Sequence, residues 1–374
     1  MAIEKVHIDR FLELAKSFPV LDVRSPAEFS QAHIPGAYSL PLFTDEERKV
    51  VGTAYKQQSR QVAIKAGLDF FGPKMRGMVE TVEQIVGGWQ LAIGNWQSGD
   101  GERKLQTENR VLVHCWRGGM RSAGVAWLLD LYGFKVYTLV GGYKTFRNWV
   151  LKQFDKPYHF QILGGFTGSG KTEVLKELKR MNQYVVDLEA LAGHKGSAFG
   201  NIGLPPQPSQ EMFENKLAIQ LHYVACEPQN DAPARTVWLE DESQRIGTVN
   251  IPQPMWRAMR TAPIFFLGIS FEERLEHIIS EYGALDKQKV QDAIGRVQKR
   301  LGGLETKTAI AHLEENNVRE CFRILLKYYD RYYQKGLVNR EQLHTLLTMV
   351  NCTTVEASGN AVKILESTQS IPVE

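Results

Sequence analysis

One stretch of the sequence combines a cysteine with two glycines and two arginines. It reads His114-Cys115-Trp116-Arg117-Gly118-Gly119-Met120-Arg121 and lies between a predicted strand and a predicted helix. The backbone N–H groups of such a turn and of the helix N-terminus converge on one point, which favours anions. With the two arginines they are expected to lower the pKa of Cys115. We therefore predict a nucleophilic cysteine in an anion-binding loop; a buried structural cysteine is the alternative.

A second stretch has the spacing of a phosphate-binding loop. Gly165-Phe166-Thr167-Gly168-Ser169-Gly170-Lys171-Thr172 matches G-x4-G-K-[ST] and also lies between a predicted strand and a predicted helix. The glycines allow successive N–H groups to point at a diphosphate, Lys171 adds a positive charge, and the Thr172 hydroxyl is a candidate Mg²⁺ ligand. The motif leaves open whether the diphosphate belongs to a nucleotide or to another molecule.

Further candidate substrate contacts lie at strand ends and in loops of the same half of the chain. The strand over 236–239 ends in Glu240-Asp241-Glu242, where Glu240 or Asp241 is expected to act on a metal ion or on water, unless both are simply solvated. After the strand that ends at Asp187, the segment 194–200 is a cationic, glycine-containing loop expected to bind the acceptor. The full set is Asp187, His194, Lys195, Ser197, Phe199, Glu240, Asp241, Arg245, Arg257 and Arg260.

Strands and helices alternate along both halves of the chain. Strands are predicted over 18–23, 110–114 and 135–140, and helices begin at Ser25-Pro26 and at Ser122. This alternation predicts α/β domains with parallel sheets. We place a first domain at 1–150 with an insertion around 43–106, a polar linker at 151–157, and a second α/β domain at 158–374 whose C-terminal part is mainly helical.

The composition excludes several classes of protein. The chain has 374 residues, 43% of them hydrophobic, which is typical of a folded protein with two or three domains. A net charge of +3 permits a polyanionic partner without requiring one. The four cysteines are widely separated, which disfavours a zinc knuckle or a disulfide framework. No apolar run is long enough to span a membrane, so we expect a cytoplasmic protein without membrane contact.

The surroundings of the cysteine loop resemble a rhodanese domain. Four segments occur in the rhodanese order, namely Asp22-Val23-Arg24-Ser25-Pro26-Ala27-Glu28-Phe29, His33-Ile34-Pro35-Gly36-Ala37, the cysteine loop and Gly141-Gly142-Tyr143. The spacing Cys115-x5-Arg121 also matches protein tyrosine phosphatases, and dual-specificity phosphatases of this fold keep some of the same marks. The fold that the resemblance implies is therefore better defined than the reaction.

The pairing of a rhodanese-like domain with a P-loop NTPase-like domain resembles the bacterial tRNA 2-selenouridine synthase family. The resemblance rests on the two loops, their order, and the segments 194–200 and 238–247. It implies a tRNA substrate with 5-methylaminomethyl-2-thiouridine at the wobble position, recognised through the anticodon arm. It also implies geranylation of the sulfur by geranyl diphosphate, held by the loop 165–172, and then replacement by selenium from selenophosphate, with Cys115 and its loop serving the selenium step.

This resemblance implies two co-substrates, selenophosphate and geranyl diphosphate, and no tightly bound cofactor. Mg²⁺ is an open expectation, with Thr172 and Glu240 as its candidate ligands, and an enzyme that supplies selenophosphate is a candidate partner. Whether Cys115 accepts selenium or attacks the tRNA intermediate stays open. Side chains considered for an apolar geranyl slot are Phe166, Phe199, Phe213 and Trp238, and those considered for the tRNA backbone are Arg319, Arg323, Lys327, Arg331 and Tyr332.

Two other functions fit part of the sequence. One is an ATP-dependent kinase fused to a rhodanese-type sulfurtransferase or a phosphatase. The other is an RNA-binding module without catalysis, which the intact Cys115, Lys171 and Thr172 disfavour. Nucleotide turnover without a prenyl donor would distinguish the first of these from a geranyl transferase.

Overall fold

The computed structural model describes residues 3–94, 109–197, 199–226, 235–283 and 286–369. Its Cα positions form two compact units, Met1–Lys152 and Gln153–Glu374. The end of the predicted insertion, 95–106, lies outside the described residues, as does Ala198 of the predicted acceptor loop. None of the described helices is both long enough and apolar enough to cross a lipid bilayer.

The first unit contains a parallel five-stranded sheet. Its strands are β1 (Ile3–Val6), β2 (Val20–Asp22), β3 (Tyr38–Ser39), β4 (Arg110–His114) and β5 (Lys135–Leu139). They lie in the order β1-β5-β4-β2-β3, and every pair is parallel. The pairing of β2 with β4 sets Asp22 beside His114, so the carboxyl ends of two central strands meet where the cysteine loop begins.

Seven α-helices connect the described strands of this unit. They are α1 (Ile8–Ala15), α2 (Pro26–Gln31), α3 (Asp45–Gln57), α4 (Arg60–Phe71), α5 (Met75–Gly94), α6 (Met120–Tyr132) and α7 (Gly142–Gln153). A short 3₁₀ helix, Gly72–Lys74, joins α4 to α5. The predicted Ser25-Glu28 capping box forms at the start of α2. Helix α7 extends to Gln153, so part of the segment predicted as a linker is helical.

The inserted helices are part of the first unit's core. Phe43, Phe71 and Val82 share one hydrophobic cluster with Val113 of β4 and Val125 of α6. Burying apolar side chains of this size stabilises a fold by about 1.5–3 kcal/mol each. The described part of the insertion is thus packed against the sheet. Its exposed cationic side chains include Arg48, Lys49, Lys56, Arg60 and Lys65.

The second unit contains another parallel five-stranded sheet and a small hairpin. The strands are β6 (His159–Gly165), β7 (Tyr184–Val185), β8 (Thr236–Glu240), β9 (Arg245–Ile246), β10 (Val249–Asn250), β11 (Ile264–Gly268) and β12 (Leu347–Asn351). The sheet order is β12-β11-β6-β8-β7, and β9 pairs antiparallel with β10. The carboxyl ends of β6 and β8 are adjacent, because Leu163 pairs with Glu240. This edge is where an α/β sheet binds its ligands.

The described helices of the second unit become more frequent toward its C-terminal part, as expected. They are α8 (Lys171–Arg180), α9 (Leu188–Ala192), α10 (Gln210–Cys226), α11 (Gln253–Arg260), α12 (Phe271–Tyr282), α13 (Lys287–Leu301), α14 (Gly303–Glu314), α15 (Val318–Val338), α16 (Leu343–Leu346) and α17 (Ala357–Gln369). Helices α12 to α15 share a hydrophobic cluster of their own. The chain then returns to the sheet as β12, an edge strand that sequence patterning did not predict.

Candidate functional site

The cysteine loop joins the end of β4 to the start of α6. Its backbone is tied to the glycine turn after β5, since Tyr143 N donates to Cys115 O at 2.8 Å and Lys144 N donates to Trp116 O at 3.0 Å. Gly142 has φ +60°, and a Cβ there would lie 2.3 Å from Cys115 O. Only glycine permits this close approach, which explains why the Gly141-Gly142 segment accompanies the cysteine loop.

The thiol of Cys115 is buried and lies against the start of α6. Its side chain is 3% exposed, and Sγ lies 3.3 Å from Ser122 Oγ. Burial by itself raises the pKa of Cys115. That effect is outweighed by hydrogen bonds from the Ser122 hydroxyl and from the backbone N–H groups of Ser122 and Arg117, and by the charge of Arg121, so the pKa is lowered. The loop therefore favours the thiolate.

The two arginines of the loop differ in their contacts. Arg121 Nη1 donates to Glu28 Oε2 at 2.7 Å, and Arg48 Nε lies 3.0 Å from the same oxygen. Burial raises the pKa of Glu28, but its bonds to Arg121 and Ser25 and the charge of Arg48 lower it overall, so Glu28 is an anion at neutral pH. The Arg117 side chain is exposed, and this residue acts on the sulfur through its backbone N–H.

A buried ion pair, Arg24 with Asp22, lies beside the start of the cysteine loop. Arg24 donates to Asp22 through Nε at 2.9 Å and through Nη2 at 2.6 Å, and its guanidinium lies 3.8 Å from the centre of the Tyr143 ring. His114 is also buried there, and burial lowers its pKa, so its imidazole is neutral at physiological pH. His114 is thus a structural residue. Ser122 and Glu28 were missed as site residues, although Glu28 belongs to the motif around Asp22.

The phosphate-binding loop joins β6 to α8 as predicted. Gly168 has φ +80° and Gly170 has φ +72°, and a Cβ at Gly168 would lie 2.9 Å from Arg274 O. Lys171 Nζ donates to Gly165 O at 2.8 Å, and Gly165 N donates to the Tyr333 hydroxyl at 3.3 Å. The glycines at these positions keep the loop backbone, with its N–H groups, in the conformation that a diphosphate requires.

A buried arginine that was not predicted from the sequence connects this loop to helices α12 and α15. Arg274 of α12 donates to Thr167 O at 3.0 Å and to both oxygens of Asp330 at 2.9 and 2.7 Å. Its guanidinium also lies 5.0 Å from the centre of the Phe166 ring. The side chain joins α12, α15 and the phosphate-binding loop. No sequence signal links residues 107 positions apart.

Three carboxylates meet beside the loop, and two of them were missed. Oxygens of Glu189, Glu240 and Glu242 lie within 4.8 Å of one another. Thr172 Oγ1 donates to Glu189 Oε2 at 3.4 Å, and the Glu189 N–H donates to Glu240 Oε1 at 2.8 Å. Burial, followed by the negative charge of Glu189, raises the pKa of both Glu240 and Glu242 well above the ordinary value.

This donor set fits a hard divalent cation such as Mg²⁺, which prefers oxygen ligands. A cation there relieves the repulsion that raises the carboxyl pKa values. The predicted ligands Thr172 and Glu240 both belong to the set. Asp241 does not, because its oxygens accept from the Tyr333 hydroxyl at 2.6 Å and from the Arg340 guanidinium. Asp241 therefore anchors α15 and the chain after it, which corrects its assignment as a metal or water ligand.

The predicted acceptor loop lies beside these carboxylates. Asp187 caps α9 by accepting from Ala190 N at 2.8 Å, and Lys195 pairs with Glu281. Ser197 Oγ accepts from Phe199 N at 3.2 Å. Phe199 is buried between α12 and α15 and is a core residue, which corrects its assignment as a substrate contact.

The phosphate-binding loop, two of the three clustered carboxylates and several arginines line one groove in the second unit. The groove has a volume of about 2740 Å³. Most predicted site residues of this unit border it. They are Thr167, Gly168, Ser169, Gly170, Lys171, Thr172, Asp187, His194, Lys195, Ser197, Asp241, Arg245, Arg257 and Arg260, with Glu189 and Glu242 in addition. Gly165, the last residue of β6 and the first of the loop, is not among the residues that line the groove.

The four candidate side chains for an apolar slot are not among the residues that line the groove. Trp238 and Phe213 are fully buried in the core, and Phe166 packs edge-on against Phe266. The candidate tRNA contacts Arg319 and Arg323 form ion pairs with Glu272 and with neighbouring carboxylates.

Comparison with known proteins assigns both units. A family model described as "tRNA 2-selenouridine synthase AAA domain" matches residues 158–355, and a "Rhodanese-like domain" model matches residues 8–65. The N-terminal rhodanese-like domain and the following P-loop-like domain are thereby confirmed. Among solved structures, an N-terminal domain from Clostridium difficile 630 is 32% identical, with a TM-score of 0.33, over 40% of this chain and 99% of that one.

Curated relatives match nearly the full length. The tRNA 2-selenouridine synthase of Bdellovibrio bacteriovorus is 32% identical over 91% of this chain and 94% of its own, and that of Hydrogenovibrio crunogenus is 33% identical over 87% and 91%. A relative of the same name in Cupriavidus pinatubonensis reaches 37% identity over 71% of this chain and 66% of its own. With a family model over 158–355 and relatives of this identity over most of both chains, the chain belongs to the tRNA 2-selenouridine synthase family.

Proposed function

We propose that this enzyme converts wobble 2-thiouridine of the 5-methylaminomethyl type to 2-selenouridine in tRNA, by two transfers at two loops. The first transfers a geranyl group from geranyl diphosphate to the sulfur. The second replaces the S-geranyl group with selenium from selenophosphate. The observation that carries the proposal is the presence in one chain of two anion-binding turns, one built around a thiol of lowered pKa and one around Lys171.

The first transfer belongs to the loop 165–172. The 2-thio sulfur of the tRNA attacks C1 of the geranyl group and a C–S bond forms. The C–O bond to the diphosphate breaks with its electron pair leaving on pyrophosphate, and the N3 proton of the base is released to solvent. Loop N–H groups and the Lys171 ammonium stabilise the charge that develops on the departing group. Alkylation turns the sulfur into a better leaving group for the next step.

Oxygens of Thr172, Glu189, Glu240 and Glu242 would hold Mg²⁺, which would supply additional shielding of the diphosphate charge. Arg245, Arg257 and Arg260 border the same groove and hold anionic groups of the substrates. His194, Lys195 and Ser197 lie on the acceptor side. These are the roles we assign to the residues predicted from sequence and brought together around the groove.

The second transfer belongs to Cys115. Its loop binds the phosphate end of selenophosphate through N–H groups and Arg121. Either the selenium of selenophosphate, held beside Cys115, attacks C2 of the base and displaces geranylthiol directly, or the Cys115 thiolate first displaces geranylthiol from C2 and the selenium then displaces Cys115. In both routes a C–Se bond forms and selenium stays at the selenide level. Water then cleaves the P–Se bond, which releases phosphate and leaves 2-selenouridine. No tightly bound cofactor is needed, and an enzyme that makes selenophosphate is the expected supplier.

Mass spectrometry of the tRNA nucleosides tests whether each loop carries out one of the two transfers. The protein and its Cys115→Ala and Lys171→Ala variants are incubated with 2-thiouridine tRNA, geranyl diphosphate and selenophosphate. We expect Cys115→Ala to accumulate S-geranyl nucleoside with little selenouridine, and Lys171→Ala to leave 2-thiouridine unchanged. Controls are Cys352→Ala, which removes a thiol of the second unit, and Lys179→Ala, on α8 outside the groove lining.

Two results would overturn the proposal. One is an equal loss of both products in each variant. The other is steady nucleotide hydrolysis, or phosphorylation of the RNA, by the parent protein without any prenyl donor, because that outcome identifies a kinase-type reaction at the loop 165–172.

A further inference from the structure

Three planar side chains of α13 and α15 line the groove. Tyr328 and Tyr332 lie one turn apart on α15, with ring centres 6.4 Å apart and ring planes 25° from parallel. The guanidinium of Arg300 on α13 lies 5.5 Å from the centre of the Tyr332 ring, and its positive charge also acts on the Tyr328 hydroxyl. Tyr332 is 52% exposed, so one side of this stack is open.

The charges around the stack have one sign. Among the groove-lining residues that the structure describes on α13 and α15, Arg296, Arg300, Arg331 and Lys335 are cations, and no carboxylate is present. The one carboxylate in the middle of this stretch, Asp330, pairs with Arg274. The surface is therefore complementary to a polyanion.

The groove is also too large for a diphosphate alone. Its volume of about 2740 Å³ exceeds the 300–1,000 Å³ of most small-molecule pockets. Tyr333, next to Tyr332, contacts the phosphate-binding loop. Its hydroxyl accepts from Gly165 N at 3.3 Å, and its ring centre lies 5.9 Å from Lys171 Nζ. Helix α15 thus has an exposed ring at Tyr332 and, at the next residue, Tyr333, a contact with the phosphate-binding loop.

We propose that Tyr332, supported by Tyr328 and Arg300, stacks on an unpaired nucleobase of the tRNA substrate, while Arg296, Arg331 and Lys335 neutralise the flanking phosphates. The inference rests on the proposed function for the identity of the RNA. Aromatic side chains stack on any unpaired base, whereas a paired base offers no free face. The site therefore selects a single-stranded loop and places it beside the diphosphate.

Binding of RNA in the absence of geranyl diphosphate and selenophosphate tests the site. Fluorescence anisotropy is measured with an unmodified anticodon stem-loop and with a fully paired duplex of equal length. We expect the parent protein to prefer the stem-loop. In Tyr332→Ala the Kd for the stem-loop rises about 5- to 100-fold, the Kd for the duplex changes little, and KM for tRNA rises without an equal fall in kcat.

Conservative variants separate stacking from a general packing defect. Tyr332→Phe and Tyr332→Trp keep a planar ring and are expected to retain the stem-loop preference, whereas Tyr332→Leu keeps apolar volume and loses it. Thermal melting reports whether each variant is folded. In Arg331→Gln, the slope of log Kd against log salt falls by about 1. Controls are Lys307→Ala and Tyr223→Ala, on residues outside the groove lining.

The two proposals fail in different ways. If Tyr332→Leu binds the stem-loop as tightly as the parent, or if the parent binds duplex and stem-loop equally, the stacking site is wrong even when the parent still makes selenouridine. If the parent makes no S-geranyl or seleno product but Tyr332→Ala still loses stem-loop binding, the proposed reaction is wrong and the stacking site stands.

Discussion

The reactive thiol depends on a few short-range contacts. Cys115 is buried, and burial alone opposes ionisation, yet the Ser122 hydroxyl, two backbone N–H groups and Arg121 reverse that effect. Sequence predicts the N–H groups and the arginine, because both follow from a glycine-rich turn before a helix. The Ser122 contact could be noticed only from the geometry, since serine at that position is also a common residue of a first helical turn.

We expect Ser122→Ala to raise the pKa of Cys115, because the variant loses a donor to the thiolate. The rate of alkylation by iodoacetamide rises with the thiolate fraction, so its midpoint moves to higher pH and the rate at pH 7 falls. Arg121→Gln moves the midpoint in the same direction, and Arg76→Gln, on an exposed arginine of α5, leaves it unchanged. A midpoint unaffected by both Ser122→Ala and Arg121→Gln contradicts this account.

The carboxylate cluster makes stability depend on pH and on cations. Because the pKa of Glu240 and Glu242 is raised in the folded protein, the contribution of these groups to stability is fully present below the unfolded pKa and is lost as pH rises through the folded values. Without a divalent cation, the second unit is therefore expected to gain stability as the pH falls from neutral toward the ordinary carboxyl range.

Glu242→Gln removes one charge from the cluster. In EDTA at pH 7.5 we expect its melting temperature to exceed that of the parent by about 2–4 °C, since about 1 kcal/mol gives a shift of this size in a unit of this length. Mg²⁺ then stabilises the parent more than the variant. Equal Mg²⁺ stabilisation of both proteins would show that Glu242 is not a ligand.

Among the elements, α12 and α15 support the phosphate-binding loop through Arg274. This side chain is 3% exposed, and its bonds to Asp330 and to Thr167 O connect three segments far apart in sequence. Removing one partner of a buried ion pair leaves the other charge uncompensated, which typically costs about 3–5 kcal/mol.

Arg274→Met is thus expected to destabilise the second unit by several kcal/mol and to weaken diphosphate binding. Urea denaturation measures the first effect, and isothermal titration with geranyl diphosphate measures the second. The double variant Arg274→Met, Asp330→Leu removes both charges and should recover part of the stability but not the bond to Thr167 O. Full recovery of diphosphate affinity in the double variant would mean that the contact with the loop is unimportant.

Local patterns predicted many of the elements that carry the two loops, and long-range packing explains the ones that were missed. The strand before Cys115 is apolar and β-branched, and the capping box of Ser25 and Glu28 marks the start of α2. The edge strand β12 lacked such a signal because only Val350 of its residues is buried. Glu189 is near Glu240 in space because β7 and β8 are neighbours in the sheet, whereas Glu242 follows Glu240 by only two residues.

At the scale of the whole molecule, the chain is a sequence of two α/β units with one anion-binding turn in each. Both turns could be located from sequence because each is a contiguous motif between a strand and a helix. The groove of the second unit could not, because helices α11, α13 and α15 supply its walls from positions far apart along the chain. The division of labour between the turns is the central claim of the proposed function.

The most direct measurement of that claim starts from tRNA that already carries S-geranyl-2-thiouridine. The Lys171→Ala and Cys115→Ala variants are each incubated with this tRNA and selenophosphate, without geranyl diphosphate, and the nucleosides are analysed by mass spectrometry. We predict that Lys171→Ala forms 2-selenouridine at nearly the parent rate and that Cys115→Ala forms little. Failure of Lys171→Ala on this substrate, or parent-like conversion by Cys115→Ala, would contradict the assignment of one transfer to each loop.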